Sequence, residues 1–156
     1  TFKALNGGPL GFIVGGEVHY YYRSMRPHTL QSEFDVTGVT ALPRVDIIYT
    51  HIGEDRVFVD AALAAGARGI IYAGSGMGSI HEAVEAALAE AVGRGVVVVR
   101  SSRTGSGIVA AGLERWQEPG FLYADNFNPQ KARLLLQLAL LRTHERSEVQ
   151  EIFNRY

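Results

Sequence analysis

Two stretches hold side chains that could meet a ligand. Gly74-Ser75-Gly76-Met77-Gly78-Ser79 stands between a β-prone run and a helical run. Glycines there allow close backbone approach, and the following helix start offers unpaired N–H groups to an anion. The spacing is G-x-G-x-G rather than G-x-G-x-x-G, so the dinucleotide fingerprint fails at its third glycine. The weightier reading is a tight turn in which Ser79 caps the helix. Contact with a small ligand comes second and a dinucleotide third. Arg100-Ser101-Ser102-Arg103 offers two cations and two hydroxyls to a phosphate. Loop-stitching at the end of a strand is the preferred alternative. Glu114 and Glu118, beside Arg115 and Trp116, bring carboxylates that suit an amino group; the plainer reading is solvated charge.

Catalysis leaves no trace in the residue pattern. Thr104 and Ser106 sit outside any G-x-S-x-G elbow, with no His–Asp pair arranged to activate them. The five histidines (His19, His28, His51, His81 and His144) form no H-x-x-x-H or H-E-x-x-H pair, which argues against zinc. His81, beside Glu82, reads as a surface residue. There is no cysteine, which removes disulfides, thiolate chemistry and cysteine–zinc sites.

The elements that would position these residues are legible from periodicity. Val45-Asp46-Ile47-Ile48-Tyr49, Gly69–Ala73, Val96–Val99 and Phe121–Ala124 read as strands. They begin at 45, 69, 96 and 121, at intervals of 24, 27 and 25 residues. Helical patterns fill the first two gaps. Glu54–Ala65 carries Val57, Ala61, Leu63 and Ala64 near period 3.6, with Gly66 as its stop. Ile80, Val84, Leu88, Ala91 and Val92 form one stripe in the second. Apolar strands alternating with helices mean a parallel sheet covered on both faces. The third gap, 101–120, reads as a long loop, and loops at the carboxyl ends of such strands are where open sheets take ligands. Asn128-Pro129 opens a helix whose expected buried face is Leu134, Leu135, Leu138 and Leu141. Ser147-x-x-Gln150 reads as a capping box for a last helix. Upstream, Phe12–Val14 and Val18–Tyr22 flank Gly15-Gly16 as a hairpin, and Arg23–Leu42 reads as a connector.

The resulting expectation is an α/β fold: a small parallel sheet flanked by helices, Rossmann-like, preceded by a β-hairpin remnant and a linker. The 156 residues are 47% hydrophobic and 20% charged, with a net charge of −1. That composition argues against disorder and gives no basic footprint for nucleic acid. No apolar run, Gly95–Val99 included, approaches the ~20 residues of a membrane helix. Thr1 is not an initiator Met and no signal-like stretch follows it, so a processed or excised chain is expected.

Thr1-Phe2-Lys3, Gly8-Pro9-Leu10-Gly11, Gly69–Gly78, Val97–Arg103, Asn128-Pro129-Gln130-Lys131-Ala132-Arg133 and Glu151–Tyr156 together resemble, in order, the C-terminal part of bacterial type II L-asparaginases. The resemblance implies three regions: 1–24, the end of an N-terminal catalytic domain; 25–42, an interdomain linker; and 43–156, a C-terminal α/β domain. It implies hydrolysis of L-asparagine, with L-glutamine as a second substrate, to the acid and ammonia through a threonine ester, without cofactor or metal. The threonine motifs of the family, Thr-Gly-Gly-Thr and His-Gly-Thr-Asp, do not occur here, and the only lysines are Lys3 and Lys131. No catalytic residue is therefore expected in this chain, which should be inactive alone. Implied substrate-binding residues are Ser79, at the end of the glycine turn, and Glu114, with Leu113 taking that place in the alternative alignment. A Ser at the first position resembles members with glutaminase activity. The family implies a homotetramer of intimate dimers in which this part completes a neighbour's pocket. It favours the periplasm, with the cytoplasm as alternative. A non-catalytic amino-acid-binding or oligomerisation module, and a nucleotide-binding domain, are the competing readings.

Overall fold

A computed structural model describes residues 4–156, so Thr1-Phe2-Lys3, which contribute to the family resemblance, lie outside the described residues. The hairpin forms as expected: β1 (Gly11–Val14) pairs antiparallel with β2 (Glu17–Tyr20). Gly15 and Gly16 join them at φ 60° and 86°. Two consecutive positive φ values match the twist of the strands, which few side chains tolerate. Tyr21 and Tyr22 lie beyond the strand. The segment to Pro43 holds one short 3₁₀ turn, Thr29–Gln31, and is otherwise irregular.

The remaining strands make one parallel sheet, β3 (Val45–Tyr49), β4 (Gly69–Gly74), β5 (Val97–Ser102) and β6 (Leu122–Tyr123), in that order. Helices α1 (Val57–Ala64) and α2 (Glu82–Gly93) link successive strands and cover one face. There Ile70, Tyr72 and Val98 meet Val59, Val84, Leu88 and Trp116. Helices α4 (Pro129–Ala139) and α5 (Arg146–Arg155) cover the other, where Ile71, Val97 and Val99 meet Ala132, Leu136 and Phe153. A one-turn helix α3 (Glu114–Gln117) interrupts the third gap. Residues alternate between the two layers along β4 and β5, as a doubly covered strand requires.

Several expectations need correction. The buried face of α4 is Ala132, Leu135, Leu136, Ala139 and Leu140; Leu134 is 54% and Leu141 39% exposed. Leucines crowd both sides of this helix, and the side carrying alanines allows closer approach to the sheet. Gly69 shows how close: a Cβ there would come within 2.6 Å of Leu136 Cδ2. The first helix begins at Val57 rather than Glu54. Gly53 turns at φ 78°, Glu54 tucks into the interior, and Asp55 Oδ1 accepts from Val57 N at 2.9 Å. Ser147 and Gln150 do not form a capping box. The last helix starts at Arg146, and Gln150 instead bonds both backbone groups of Tyr123, accepting at 2.9 Å and donating at 3.1 Å. That use completes the hydrogen bonding of edge strand β6.

Candidate functional site at the carboxyl edge of the sheet

The turn after β4 and the loop after β5 both leave the carboxyl edge of the sheet. The sheet order runs without reversal, so no switch point selects a crevice, and the loops themselves must define the site. In the glycine turn Ser79 N donates to Ser75 O at 2.9 Å. Gly74 is obligatory: a Cβ would lie 2.3 Å from Ser79 O. Gly78 sits at φ 75°, with Val109 Cγ1 2.8 Å from a would-be Cβ. The turn is therefore a rigid, close-packed bend that leaves Ser79 exposed at its end.

Ser79 does not cap α2. The cap is His81, whose Nδ1 accepts from Ala83 N at 3.2 Å. Helix α2 begins at Glu82, three residues after the bridge that closes the turn, too far on for Ser79. His81 is at the surface, as expected, but has work there. Among the described residues no hydrogen bond engages Ser79 Oγ. The hydroxyl is free for another molecule.

Arg100 belongs to β5 and not to a loop, and it is 0% exposed. Its Nη1 donates to Gly78 O at 3.3 Å, and its Nη2 to Ala110 O and Ala111 O, each at 2.5 Å. The guanidinium lies 4.7 Å from the ring centroid of Trp116. Burial lowers the Arg100 pKa to about 10. Arg103 Nη1 donates to Thr50 O at 2.8 Å, while Arg103 N donates to Gly74 O at 2.8 Å. Ser101 Oγ donates to Phe127 O and Ser102 Oγ to Gly76 O. All four residues of this stretch stitch neighbouring segments together. A phosphate clamp would need the guanidinium of Arg100 that carbonyls already occupy.

Glu114 opens α3 and is exposed, with Leu113 as the preceding cap position. Trp116 anchors the turn, buried, with Nε1 donating to Glu85 of α2 at 3.2 Å. Arg100 thus ties the backbone beside Ser79 to the backbone four residues before Glu114. The two implied substrate-binding residues are both exposed, and backbone near each of them, at Gly78 and at Ala110–Ala111, accepts from the one buried guanidinium.

Sequence reasoning missed the network beneath the turn. Glu54, 5% exposed, accepts at Oε1 from Thr50 Oγ1 at 2.5 Å and from Tyr72 OH at 2.8 Å. Tyr72 OH also accepts from His81 N at 3.3 Å. Burial pushes the Tyr72 phenol up to about 12. Strand period 2 carried a signal: Tyr72 shares a face with Ile70, and Arg100 with Val98, so both point inward. A cavity of about 720 Å³ lies elsewhere, between the hairpin, the connector and α4, where Tyr20, Tyr22, Phe34, Phe127 and Leu138 line it. Its mainly apolar wall suits no zwitterion. Among the described residues no three His, Asp or Glu side chains gather as a metal site, and no helix is long and apolar enough to cross a membrane.

Residues 44–153 match the family model of the glutaminase/asparaginase C-terminal domain. L-asparaginase 2 of Bacillus subtilis is 42% identical over 156 residues, which is the whole of this chain and 41% of that protein. L-asparaginase 2 of Escherichia coli is 41% identical over all of this chain and 45% of its own length. The glutaminase-asparaginase of Pseudomonas fluorescens is 37% identical, across 96% of this chain and 42% of that one. A crystal structure of a probable cytoplasmic L-asparaginase from Campylobacter jejuni superposes with a TM-score of 0.94 at 41% identity, covering 99% of this chain and 50% of that one. The chain spans less than half the length of these curated relatives.

Proposed function

The chain belongs to the glutaminase/asparaginase family, as its C-terminal domain, and from that premise we propose that it forms the wall of an amidohydrolase pocket. The substrate is L-asparagine, with L-glutamine as a second candidate; the products are the acid and ammonia. Residues 43–156 form the C-terminal domain, 25–42 the linker, and 1–24 the end of an N-terminal domain that brings the threonine nucleophile and its activating groups. Four subunits, arranged as intimate dimers, let this domain complete a neighbour's pocket.

Within that pocket Ser79 and Glu114 bind the invariant end of the substrate. An amino acid presents an ammonium and a carboxylate. The Glu114 carboxylate pairs with the first, and the Ser79 hydroxyl donates to the second. Both groups stay remote from the amide under attack, so they orient rather than react. The observation that supports this reading is the pair itself: two exposed polar side chains, one with an unengaged hydroxyl, each close in sequence to backbone carbonyls that accept from a common buried guanidinium.

The test measures ammonia release from asparagine. The 156-residue chain alone is expected to release none; the same chain joined to the N-terminal domain is expected to turn over. In that complete subunit Ser79→Ala and Glu114→Gln should each lower kcat/KM about tenfold or more, the usual weight of a hydrogen bond to a charged group. Turnover by the 156-residue chain, or an unchanged kcat/KM in both variants, would overturn the proposal.

A further inference from the structure

Tyr72 and Arg100 are register partners on β4 and β5. Both are fully buried, and both face the layer of α1 and α2. Each reaches past the end of its strand to the same four-residue stretch of backbone. Arg100 Nη1 holds Gly78 O, one residue before Ser79, and Tyr72 OH holds His81 N, two residues after it. We propose that Tyr72 and Arg100 act together as positioning residues for Ser79, a cross-strand clamp that grips the turn on either side of it. The inference rests on the reading that Ser79 meets the substrate.

The chemistry of the clamp is expensive for a merely structural device. Arg100 makes no ion pair among the described residues, and its Nε has no hydrogen-bond partner. Glu54, which accepts from Tyr72, likewise pairs with no cation among them; two hydroxyls alone serve its Oε1. A buried charge without a counter-charge costs several kcal/mol relative to water, and an apolar side chain of similar volume would fill either place at less cost. What the polar groups add is direction. A phenol hydroxyl anchored on Glu54 presents its lone pair to His81 N along one line. A planar guanidinium divides its two ends between the glycine turn and Ala110–Ala111 and so sets the distance from Ser79 to the Glu114 loop. Gly112 keeps this arrangement possible, since a Cβ there would lie 3.0 Å from Arg100 Nη2.

The experiment uses the complete subunit with its N-terminal domain and reads KM and kcat for asparagine separately. Tyr72→Phe keeps the ring and its packing and removes only the hydroxyl. It is expected to raise KM about three- to tenfold and leave kcat within about twofold, because the groups it misplaces bind an unreacting part of the substrate. Glu54→Gln keeps the acceptor oxygen and should hold KM within about twofold of the parent, whereas Glu54→Leu should match Tyr72→Phe. On a Ser79→Ala background Tyr72→Phe should add nothing further, since coupled residues fail to add. Arg100→Lys, which cannot span both sets of carbonyls, should raise KM as well; if it does not fold, Tyr72→Phe carries the test alone. A raised KM in Ser79→Ala beside an unmoved KM in Tyr72→Phe overturns the clamp and spares the substrate reading. So does an equal effect of Tyr72→Phe on both backgrounds. An unmoved kcat/KM in Ser79→Ala overturns the reading of Ser79 as a substrate contact, and the clamp with it.

Discussion

At Tyr72 burial holds the proton on the phenol to about pH 12, against 10.0 for an exposed tyrosine. The folded-state value is raised, so this group contributes stability that is complete below pH 10 and is lost as the pH climbs towards 12. Arg100 works in the opposite sense. Its folded-state value is lowered to about 10, so burying the cation costs stability at neutral pH, and the cost fades as the pH passes 10. The two slopes oppose one another across the same window. Removing the phenol with Tyr72→Phe should therefore leave a variant whose stability, relative to the parent, rises by up to about 1.4 kcal/mol per pH unit between pH 10 and 12. Urea midpoints taken at half-unit steps through that window measure it. A stability difference that does not change with pH would show that the Tyr72 proton is not held by the fold. The same side chain thus links core packing to the placement of Ser79.

Helix α4 shows how an element chooses its face. Ala132, Leu135, Leu136, Ala139 and Leu140 recur at helical spacing and bury against β3, β4 and α5. Leu136→Ala should cost about 2–5 kcal/mol, because the cavity opens against Gly69 and Val45, where the backbone leaves little room to collapse. Leu134→Ala, on the exposed side, should stay within about 0.5 kcal/mol. Asn128→Ala should cost about 1 kcal/mol, as its Oδ1 accepts from Lys131 N at 2.9 Å and Pro129 follows at the first helical position. Urea denaturation of the three variants ranks them. Equal losses at 134 and 136 would contradict the face described here. A helix held this firmly also fixes the carboxyl edge, since Phe127, just before its cap, accepts from Ser101.

Across the whole molecule the connector is pinned rather than loose. Glu33 pairs with Arg142 at 2.9 Å and Arg155 at 2.5 Å, and Tyr156 OH accepts from Glu33 N at 2.9 Å. Arg26 reaches Asp125 at 3.0 Å and Asn154 O at 2.7 Å. The arginines are about half exposed, so each ion pair contributes at most about 1 kcal/mol. Opening of such a strap is a local event, well below global unfolding. Glu33→Ala should accordingly speed limited proteolysis within 25–42 about two- to fivefold and leave the urea midpoint unchanged. Unaltered cleavage would assign the pinning to Tyr156 and Arg26.

Local and periodic signals carried most of the architecture. The continuous apolar runs Gly69–Ala73 and Val96–Val99, the Gly15-Gly16 turn and the Asn128-Pro129 cap each depend on neighbours a few residues away, and each appears within a residue of where the sequence places it. Ser79 and Glu114 entered through resemblance, and no spacing in the chain selected them. Tertiary structure alone decided which leucines of α4 are buried, because two apolar stripes compete and only the docked sheet breaks the tie. It also decided what Gln150, His81, Glu54 and Arg100 do. Their partners lie up to 27 residues away in sequence, and hydrogen bonds of that reach exist only once the loops have closed.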